Sequence, residues 1–376
     1  MQNKFLNKMG FRYIGSKDKL SDIIISEMKI INPNATRIID LMAGTGLFSL
    51  ALRERGYQVT AVDVMTYSFH HLNVHLFLNS APPFLGIKNI DNINKFSTVD
   101  LFTSDNYHTI LNYLNQLPPI YGYFYKEFSP GGKPSNTNKV RKYFTANNAA
   151  KIDAIRHEIK RLKDDLIISK IEHSLLLHDL IMAVNDVANI AGTYGHYLSK
   201  FVKRAESPIL LQPTSFSTKG IISGHKIYRG YAEEIASNLN GDICYIDPPY
   251  IKRQYAANYH ILETIAREDE PEAIGDSGLR PWRDQYSNFC SKVKIRNSFD
   301  QIIRSIKCKY ILISYSEDGL LPIEDLINFL SQYGDVTKKN IRYKRFKSNN
   351  SLKEAMLNEF LICLEKREIK AFPKKP

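Results

Sequence analysis

Short apolar runs alternate with segments of helical periodicity in the first part of the chain. An apolar run ending at Asp40 precedes a helical pattern from Leu47 to Leu52, which Gly56 closes, and a second run follows at 58–62. Short apolar runs bounded by turn residues predict buried strands, and a strand, a glycine turn and a helix in this order begin a Rossmann-like unit. This part of the sequence therefore predicts α/β architecture.

The same alternation returns after residue 207 and continues to the last part of the chain. It predicts further strands and helices at 225–228 (strand), 232–239 (helix), 243–246 (strand), 310–314 (strand), 323–330 (helix), 341–346 (strand) and 360–364 (strand). We expect a mostly parallel sheet with an antiparallel C-terminal strand.

The alternation is absent between about residues 91 and 206, where a long helical pattern dominates. Ile152, Ile155, Ile159, Leu162 and Leu166 fall on one face of that pattern. We interpret residues 91–206 as a mainly helical subdomain inserted into an α/β domain formed by residues 1–90 and 207–376. Extra helices without a binding role are the alternative.

The charge balance narrows the class of partner. The chain has 51 Lys and Arg against 39 Asp and Glu, a formal net charge of +12, which favours nucleic acid first and an acidic membrane second. Neither a signal peptide nor a membrane span is indicated, so we expect a cytoplasmic protein. The four cysteines are widely separated and indicate neither disulfides nor a zinc site, and no metal ligand set stands out.

The tetrapeptide Asp247-Pro248-Pro249-Tyr250 follows a buried strand. Two prolines cannot continue a sheet ladder, so the chain leaves the sheet at Asp247, at the carboxyl end where open α/β sheets bind ligands. A carboxylate, a proline carbonyl and an aromatic ring together suit an exocyclic amine on a flat base. A proline-rich strand exit without a binding role is the alternative.

A glycine turn after the first strand indicates a nucleoside cofactor. Gly44 and Gly46 allow a ligand to approach the backbone, Asp40 is able to accept from an ammonium group, and Asp63 lies about 20 residues further on, at the spacing of an acid that binds ribose. Dinucleotide and triphosphate fingerprints are absent, so S-adenosylmethionine (SAM) fits better. Gly15-Ser16-Lys17, before a helical pattern, suits an anion but also an ordinary helix cap.

These motifs together resemble the Dam-like alpha group of SAM-dependent DNA adenine-N6 methyltransferases. The resemblance rests on Tyr13 to Lys17, Asp40 to Gly46, Asp63 and Asp247 to Tyr250, in that group's order. Further stretches are similar to methyltransferases of type II restriction–modification systems: Tyr143-Phe144-Thr145, Lys151-Ile152-Asp153, Ala191 to Gly195, Arg253-Gln254-Tyr255 and Tyr259-His260.

The resemblance implies a role for each matching residue. The cofactor-binding residues would be Tyr13, Gly15, Ser16, Lys17, Asp40, Ala43, Gly44, Thr45, Gly46 and Asp63. Asp247, Pro248, Pro249 and Tyr250 would bind the amino group of a flipped adenine, and the DNA-binding residues would be Lys139, Arg141, Lys142, Thr193, Tyr194 and Arg253. The resemblance also implies a bacterial, DNA-associated protein that acts on double-stranded DNA as a monomer or weak dimer, with any cognate endonuclease on a separate chain.

Several alternatives stay open at this point. An RNA base methyltransferase and a non-catalytic DNA-binding protein share the expected fold. Tyr231 stands where the family often has an acid near the cofactor adenine, so contacts there are unassigned. His260 fits a structural histidine better than an acid or base.

Overall fold

The described part of the chain forms two compact units. The structure is a computed structural model that describes residues 20–97, 99–100, 103–344 and 356–367. Within these ranges, the sheet unit comprises residues 20–64, 219–255 and those from Gln285 onwards, and the helical unit comprises residues 65–218 and 256–284.

Helices and strands of the described ranges are numbered in chain order. The helices are α1 Ser21–Ile31, α2 Leu47–Glu54, α3 Thr66–Phe77, α4 Asn106–Gln116, α5 Tyr123–Phe128, α6 Ala146–Asp164, α7 Lys170–Val187, α8 Ala232–Ile235, α9 Tyr255–Asn258, α10 His260–Arg267, α11 Ile295–Ser305 and α12 Ile323–Leu330. The strands are β1 Arg37–Asp40, β2 Gln58–Asp63, β3 Val99–Asp100, β4 Thr103–Ser104, β5 Lys226–Arg229, β6 Ile243–Ile246, β7 Tyr310–Ser316, β8 Gly334–Lys344 and β9 Met356–Lys366.

The sheet unit is built on a seven-stranded mixed sheet in the described residues, with strand order β5-β2-β1-β6-β7-β9-β8. The first five strands of that order are parallel, whereas β9 pairs antiparallel with both β7 and β8. This confirms the expected Rossmann-like sheet with an antiparallel C-terminal part.

The order of the strands reverses between β1 and β6. From β1 the chain builds outwards through β2 to β5, and it then returns to add β6 and β7 on the other side of β1. At such a switch point the loops after the two central strands diverge and leave a crevice at their carboxyl ends. The fold therefore favours a ligand site next to Asp40 and Asp247.

The central strands are buried as their sequences predict. All four residues of β6 are buried, and Phe299 of α11 and Leu326 of α12 join the same apolar cluster. Cys244 and Cys308 lie in this cluster as free thiols. The expected interpretation of these cysteines as small buried hydrophobic residues is confirmed for both.

Two details differ from the pattern-based expectations. The strand expected at 341–346 begins earlier, at Gly334, and residues 345 and 346 lie outside the described residues. The early start arises because β9 supplies backbone partners along β8, although Lys338 to Asn340 are exposed and polar. Leu166, expected on the buried face of α6, is 88% exposed, since the helix ends at Asp164 and Leu166 adopts φ 58° in the following turn.

The helical unit is larger than the expected insertion. It also takes in residues 65–90, 207–218 and 256–284, because α3 and α10 pack with α7. Compactness does not show which residues contact DNA, so the functional division at residues 91 and 206 stays a prediction. Within the described ranges, none of the helices combines the length and the apolar character that a membrane span requires.

Candidate active site

Three acidic residues lie at the carboxyl ends of three neighbouring parallel strands. β2 ends at Asp63, β1 ends at Asp40, and Asp247 comes directly after β6. The register pairs Asp40 with Ala61 on one side and with Tyr245 on the other, so the three strand ends lie side by side. The sheet therefore concentrates negative charge at its switch point.

The pKa of Asp40, the central acid of the three, is strongly raised. Asp40 is 1% exposed, and burial is the main reason that its pKa is raised to about 7. A hydrogen bond from Ser49 opposes the rise, whereas the charges of Asp247 and Asp63 add to it. A bound cation would offset this accumulated charge, because an opposite charge nearby favours the ionised carboxylate.

Ser49 is a site residue that the sequence analysis missed. Its Oγ donates to Oδ2 of Asp40 over 2.6 Å, and both side chains are buried. The serine lies in α2, which begins at Leu47 directly after the glycine turn. A lone polar residue within the apolar run 47–52 was the available signal.

The turn between β1 and α2 needs glycine and is tied to Asp63. Gly44 and Gly46 have φ angles of 55° and 77°, in the left-handed region that side chains avoid. The N–H of Gly44 donates to Oδ2 of Asp63 over 2.7 Å, and the N–H of Ala43 donates to the carbonyl of Val62 over 3.0 Å. Asp63 thus braces the turn, a role that adds to the expected contact with ribose. Thr45 is buried within the same turn.

The tetrapeptide leaves the sheet as expected, and Tyr315 and Leu320 contact its last residue. Asp247, Pro249 and Tyr250 are half-buried and Pro248 is buried. The ring of Tyr250 meets the ring of Tyr315 edge to face at 5.8 Å between centroids, and the carbonyl of Tyr250 accepts from the N–H of Leu320 over 2.9 Å. These contacts fix the position of the Tyr250 ring without covering it completely.

The segment after the tetrapeptide is anchored by Gln254. Its side-chain amide exchanges two hydrogen bonds with the backbone of Ser287, at 2.8 and 3.0 Å. The neighbouring Arg253 is exposed and its carbonyl accepts from the thiol of Cys290. The structure thus places a predicted DNA-binding cation on an anchored loop that begins at the tetrapeptide.

The remaining predicted residues of the cofactor site have no structural account. Tyr13, Gly15, Ser16 and Lys17 lie outside the described residues. Tyr231, at the carboxyl end of β5, is half-buried. It precedes α8 and accepts backbone hydrogen bonds from Glu234 and Ile235.

Three of the predicted DNA-binding residues of the helical unit reach its surface. Lys139 is exposed and forms an ion pair with Asp276. Lys142 is half-buried and its Nζ donates to the carbonyl of Ser199 over 3.1 Å, and Thr193 is half-buried. These side chains are accessible to a partner.

Arg141 and Tyr194 are not accessible, so direct contact of either side chain with DNA is not supported. Both are 0% exposed. The Arg141 guanidinium pairs with Glu127 at 2.7 Å, and the carbonyl of Tyr194 accepts from the hydroxyl of Tyr143 and from Nε2 of His260. The physical reason is that both side chains have their polar partners inside the unit, since the hydroxyl of Tyr194 donates to Oδ1 of Asn185 over 3.5 Å.

His260 is structural, as expected. It is fully buried, and burial is the main cause that lowers its pKa to about 3. A histidine with such a low pKa remains neutral near pH 7, and its Nε2 is committed to a backbone carbonyl.

Comparison with known proteins identifies similar sequences over most of the chain. A sequence model described as D12 class N6 adenine-specific DNA methyltransferase matches residues 13–329. The Type II methyltransferase M.FokI of Planomicrobium okeanokoites is 32% identical over 365 residues, which make up 94% of this chain and 52% of that protein. The Type II methyltransferase M.NlaIII of Neisseria lactamica is 32% identical over 361 residues, which make up 94% of this chain and 99% of that protein.

A viral protein and a solved structure extend the comparison. The Type II methyltransferase M.CviAII of Paramecium bursaria Chlorella virus 1 is 31% identical over 95% of this chain and 98% of its own length. The solved structure of TehB from Haemophilus influenzae has a TM-score of 0.35 and 8% identity, over 92% of this chain and 62% of its own, which is too weak a likeness to support an argument. The chain spans about half the length of M.FokI and nearly all of M.NlaIII.

Proposed function

We propose that this chain, which belongs to the D12 class N6 adenine-specific DNA methyltransferase family, transfers a methyl group from SAM to N6 of an adenine flipped out of double-stranded DNA. The observation that carries the proposal is the convergence of Asp63, Asp40 and Asp247 at the switch point of the sheet. SAM carries a positively charged ammonium group and adenine carries an exocyclic amine, and both groups need hydrogen-bond acceptors.

The residues of the glycine turn fit SAM. Its ammonium group suits the carboxylate of Asp40, whose pKa is raised mainly by burial and further by the charges of Asp247 and Asp63, both of which a bound cation would offset. Asp63 is half-buried at the end of β2, where a ribose hydroxyl donor would reach it, and the positive φ angles at Gly44 and Gly46 let the backbone approach a ligand. We propose that Ala43, Thr45 and the segment Tyr13 to Lys17 complete this site.

The tetrapeptide fits the amino group of an adenine. Asp247 and the Pro248 carbonyl would accept its two N–H groups, and the ring of Tyr250 would stack on the base. The edge contact with Tyr315 leaves the Tyr250 ring oriented before the base arrives. Stacking and hydrogen bonds would offset the cost of a few kcal/mol for flipping the nucleotide.

Methyl transfer then depends on position and charge. SAM, when bound, supplies an electrophilic methyl group on a sulfonium. The Asp247 and Pro248 acceptors favour a pyramidal N6 whose lone pair points at that methyl, and the Asp247 carboxylate stabilises the positive charge that develops on N6. As the N–C bond forms, the bond between the methyl and the sulfonium sulfur would break to leave a neutral thioether, and the extra N6 proton would be released towards this carboxylate and water. Positioning and electrostatics of this kind need no base of raised pKa.

We also propose a biological setting by analogy with the relatives. They are named as type II or modification methyltransferases, and protection of host DNA in a restriction–modification system is the corresponding role for this chain. We propose that it acts as a monomer or weak dimer in the bacterial cytoplasm and that any cognate endonuclease is a separate chain. The exposed cations Lys139 and Arg253, together with Lys142 and Thr193, would contact the DNA.

The first test is transfer of labelled methyl from SAM to duplex DNA or ribosomal RNA by purified protein. We expect label in adenine of DNA, and expression in a methylation-free host followed by base-resolution mapping would give the modified sequence. Label found in RNA alone would overturn the proposal. Failure to bind SAM would instead indicate a non-catalytic DNA-binding protein.

Asp247→Ala tests the site itself. We expect methyl transfer to fall by about 100- to 1,000-fold, which is the cost of removing one preorganised electrostatic partner in other enzymes. Binding of duplex DNA should change by less than about threefold, because the phosphate contacts that dominate affinity lie elsewhere. Asp335→Ala, at an exposed acid of the same sheet, is the matched control. Wild-type turnover by Asp247→Ala would refute the assignment.

A further inference from the structure

A fully buried arginine, Arg141, lies at the centre of a polar network in the helical unit. Each N–H of Arg141 has an acceptor: Nη1 donates to Oε2 of Glu127 at 2.7 Å and to the Glu127 carbonyl at 3.1 Å. Nη2 donates to the carbonyls of Ala273 at 3.2 Å and Gly275 at 2.9 Å, and Nε donates to that of Asp276 at 3.3 Å. All five donors of the guanidinium are therefore used.

The acceptors belong to two segments that are far apart in sequence. Glu127 lies in the last turn of α5, and its Oε1 also accepts from the N–H and the Oγ of Ser135, at 3.0 and 2.5 Å. The other carbonyls lie in or just before a tight turn, residues 274–279, which mutual backbone hydrogen bonds between Ile274 and Leu279 close. Arg141 thus connects the loop 129–140 with the turn 274–279.

The turn is shaped around the guanidinium. Gly278 has φ 67°, and a Cβ at this position would lie 2.9 Å from Nε and Cζ of Arg141. A residue with a side chain would therefore push the turn away from the arginine. This close approach of Gly278 to Arg141 distinguishes the contact from an ordinary ion pair on the protein surface.

The tips of the two connected segments carry exposed polar side chains that also meet. The amide Nδ2 of Asn136 donates to Glu272 over 2.6 Å, and Lys139 pairs with Asp276. These four side chains are exposed. Amides and lysines are among the side chains that read base edges or hold phosphates, and Lys139 is already proposed to contact DNA.

We infer that Arg141 is a positioning residue for DNA recognition: it locks the loop 129–140 to the turn 274–279, so that Asn136 and Lys139 are presented to DNA as one preformed surface. The inference rests on the proposed function and adds to it the element that holds the reading surface. This role explains why a cation is buried inside the unit. Opening either segment would leave the buried guanidinium without one of its five hydrogen bonds, which carries a large energetic penalty. Preformed loops bind with less ordering cost and penalise a mismatched site more fully.

Arg141→Lys tests the inference with the charge retained. A lysine has three donors and cannot serve five acceptors in the two segments at once. After the modified site is mapped, KM and kcat are measured on a duplex with that site and on duplexes with one altered base pair. We expect KM for the mapped site to rise about tenfold and discrimination to fall about tenfold, within the range of one lost base-pair preference, with kcat within about twofold.

Ser135→Ala provides a second variant that leaves the arginine in place. It removes only the hydroxyl contact with Glu127 at an exposed position, and it should shift KM and discrimination in the same direction by a smaller factor. Hydrogen exchange of the amides at 130–140 and 274–279 should accelerate in both variants. Arg161→Lys, on the exposed face of α6, is the matched control and should change none of these quantities.

The outcomes separate this inference from the proposed function. Unchanged discrimination and KM in both variants, or unchanged amide exchange in both loops, would overturn the positioning role. If Arg141→Lys does not fold, the result for Ser135→Ala decides. Wild-type protein that methylated no duplex DNA would overturn the proposed function, whereas amide exchange would still test the connection between the two segments.

Discussion

Replacing Asp40 by Asn should make the sheet unit more stable at alkaline pH. The carboxyl of Asp40 is fully buried, and burial, together with Asp247 and Asp63, raises its pKa from 3.8 to about 7. The folded protein therefore binds this proton more tightly than the unfolded chain does. Its ionisation destabilises the fold above pH 7, and the penalty disappears as pH falls towards 4.

The size of the effect follows from the shift. A pKa difference of about 3 units corresponds to about 4 kcal/mol at pH 8, which is an upper limit for the gain on removing the charge. Asn has nearly the same shape, and its Oδ1 is able to accept from Ser49 as the carboxylate does. For a unit of this size the upper limit corresponds to a rise in Tm of about 8–16 °C, at about 2–4 °C per kcal/mol.

The same substitution should weaken the cofactor site. Loss of a charged hydrogen-bond partner costs about 1.5–3 kcal/mol, so we expect the Kd for SAM to rise roughly 10- to 100-fold. Calorimetric unfolding at pH 4 to 8 and titration with SAM measure the two effects. Asp335→Asn, at an exposed acid of the same sheet, is the control.

One result would refute this reasoning. If the difference in unfolding free energy between Asp40→Asn and wild type did not change between pH 4 and pH 8, ionised Asp40 would not be a source of instability. An increase in stability without any loss of SAM affinity would remove Asp40 from the cofactor site while leaving the electrostatic argument intact.

Two further predictions concern the helical unit and the base. Burial is the main cause that lowers the pKa of His70 to about 4; the charges of His173 and Lys163 also lower it, whereas the Ala266 carbonyl and Glu268 raise it. The stability that neutral His70 contributes above pH 6.5 should therefore be lost as pH falls towards 4. The loss in the free energy of unfolding should reach about 3 kcal/mol. If unfolding of His70→Gln depended on pH as strongly as that of the wild type, the prediction would be wrong. Tyr250→Ala should reduce kcat/KM by about 10- to 100-fold through lost stacking, whereas Tyr250→Phe should retain most activity in the same assay. Similar losses in both would show that the hydroxyl, and not the ring, matters.

The sequence by itself determined the central strands, the tetrapeptide exit and the acids at the strand ends. These features are local: an apolar run defines a strand, and two prolines end it whatever surrounds them. The segment Ile243–Ile246 and the acid after it were therefore predicted correctly. Because β1, β2 and β6 are parallel, their acids had to share one edge of the sheet.

Only the tertiary structure decided what individual polar residues do. Arg141 and Lys139 are both cations of one segment, yet five internal acceptors bury the first and the second is exposed. The pairing of Ser49 with Asp40 and the raised pKa of that acid likewise depend on which strands and helices meet. Burial and electrostatic coupling are sums over neighbours distant in sequence, so a local pattern determines where the chain turns and the assembled fold determines which charges face the ligand.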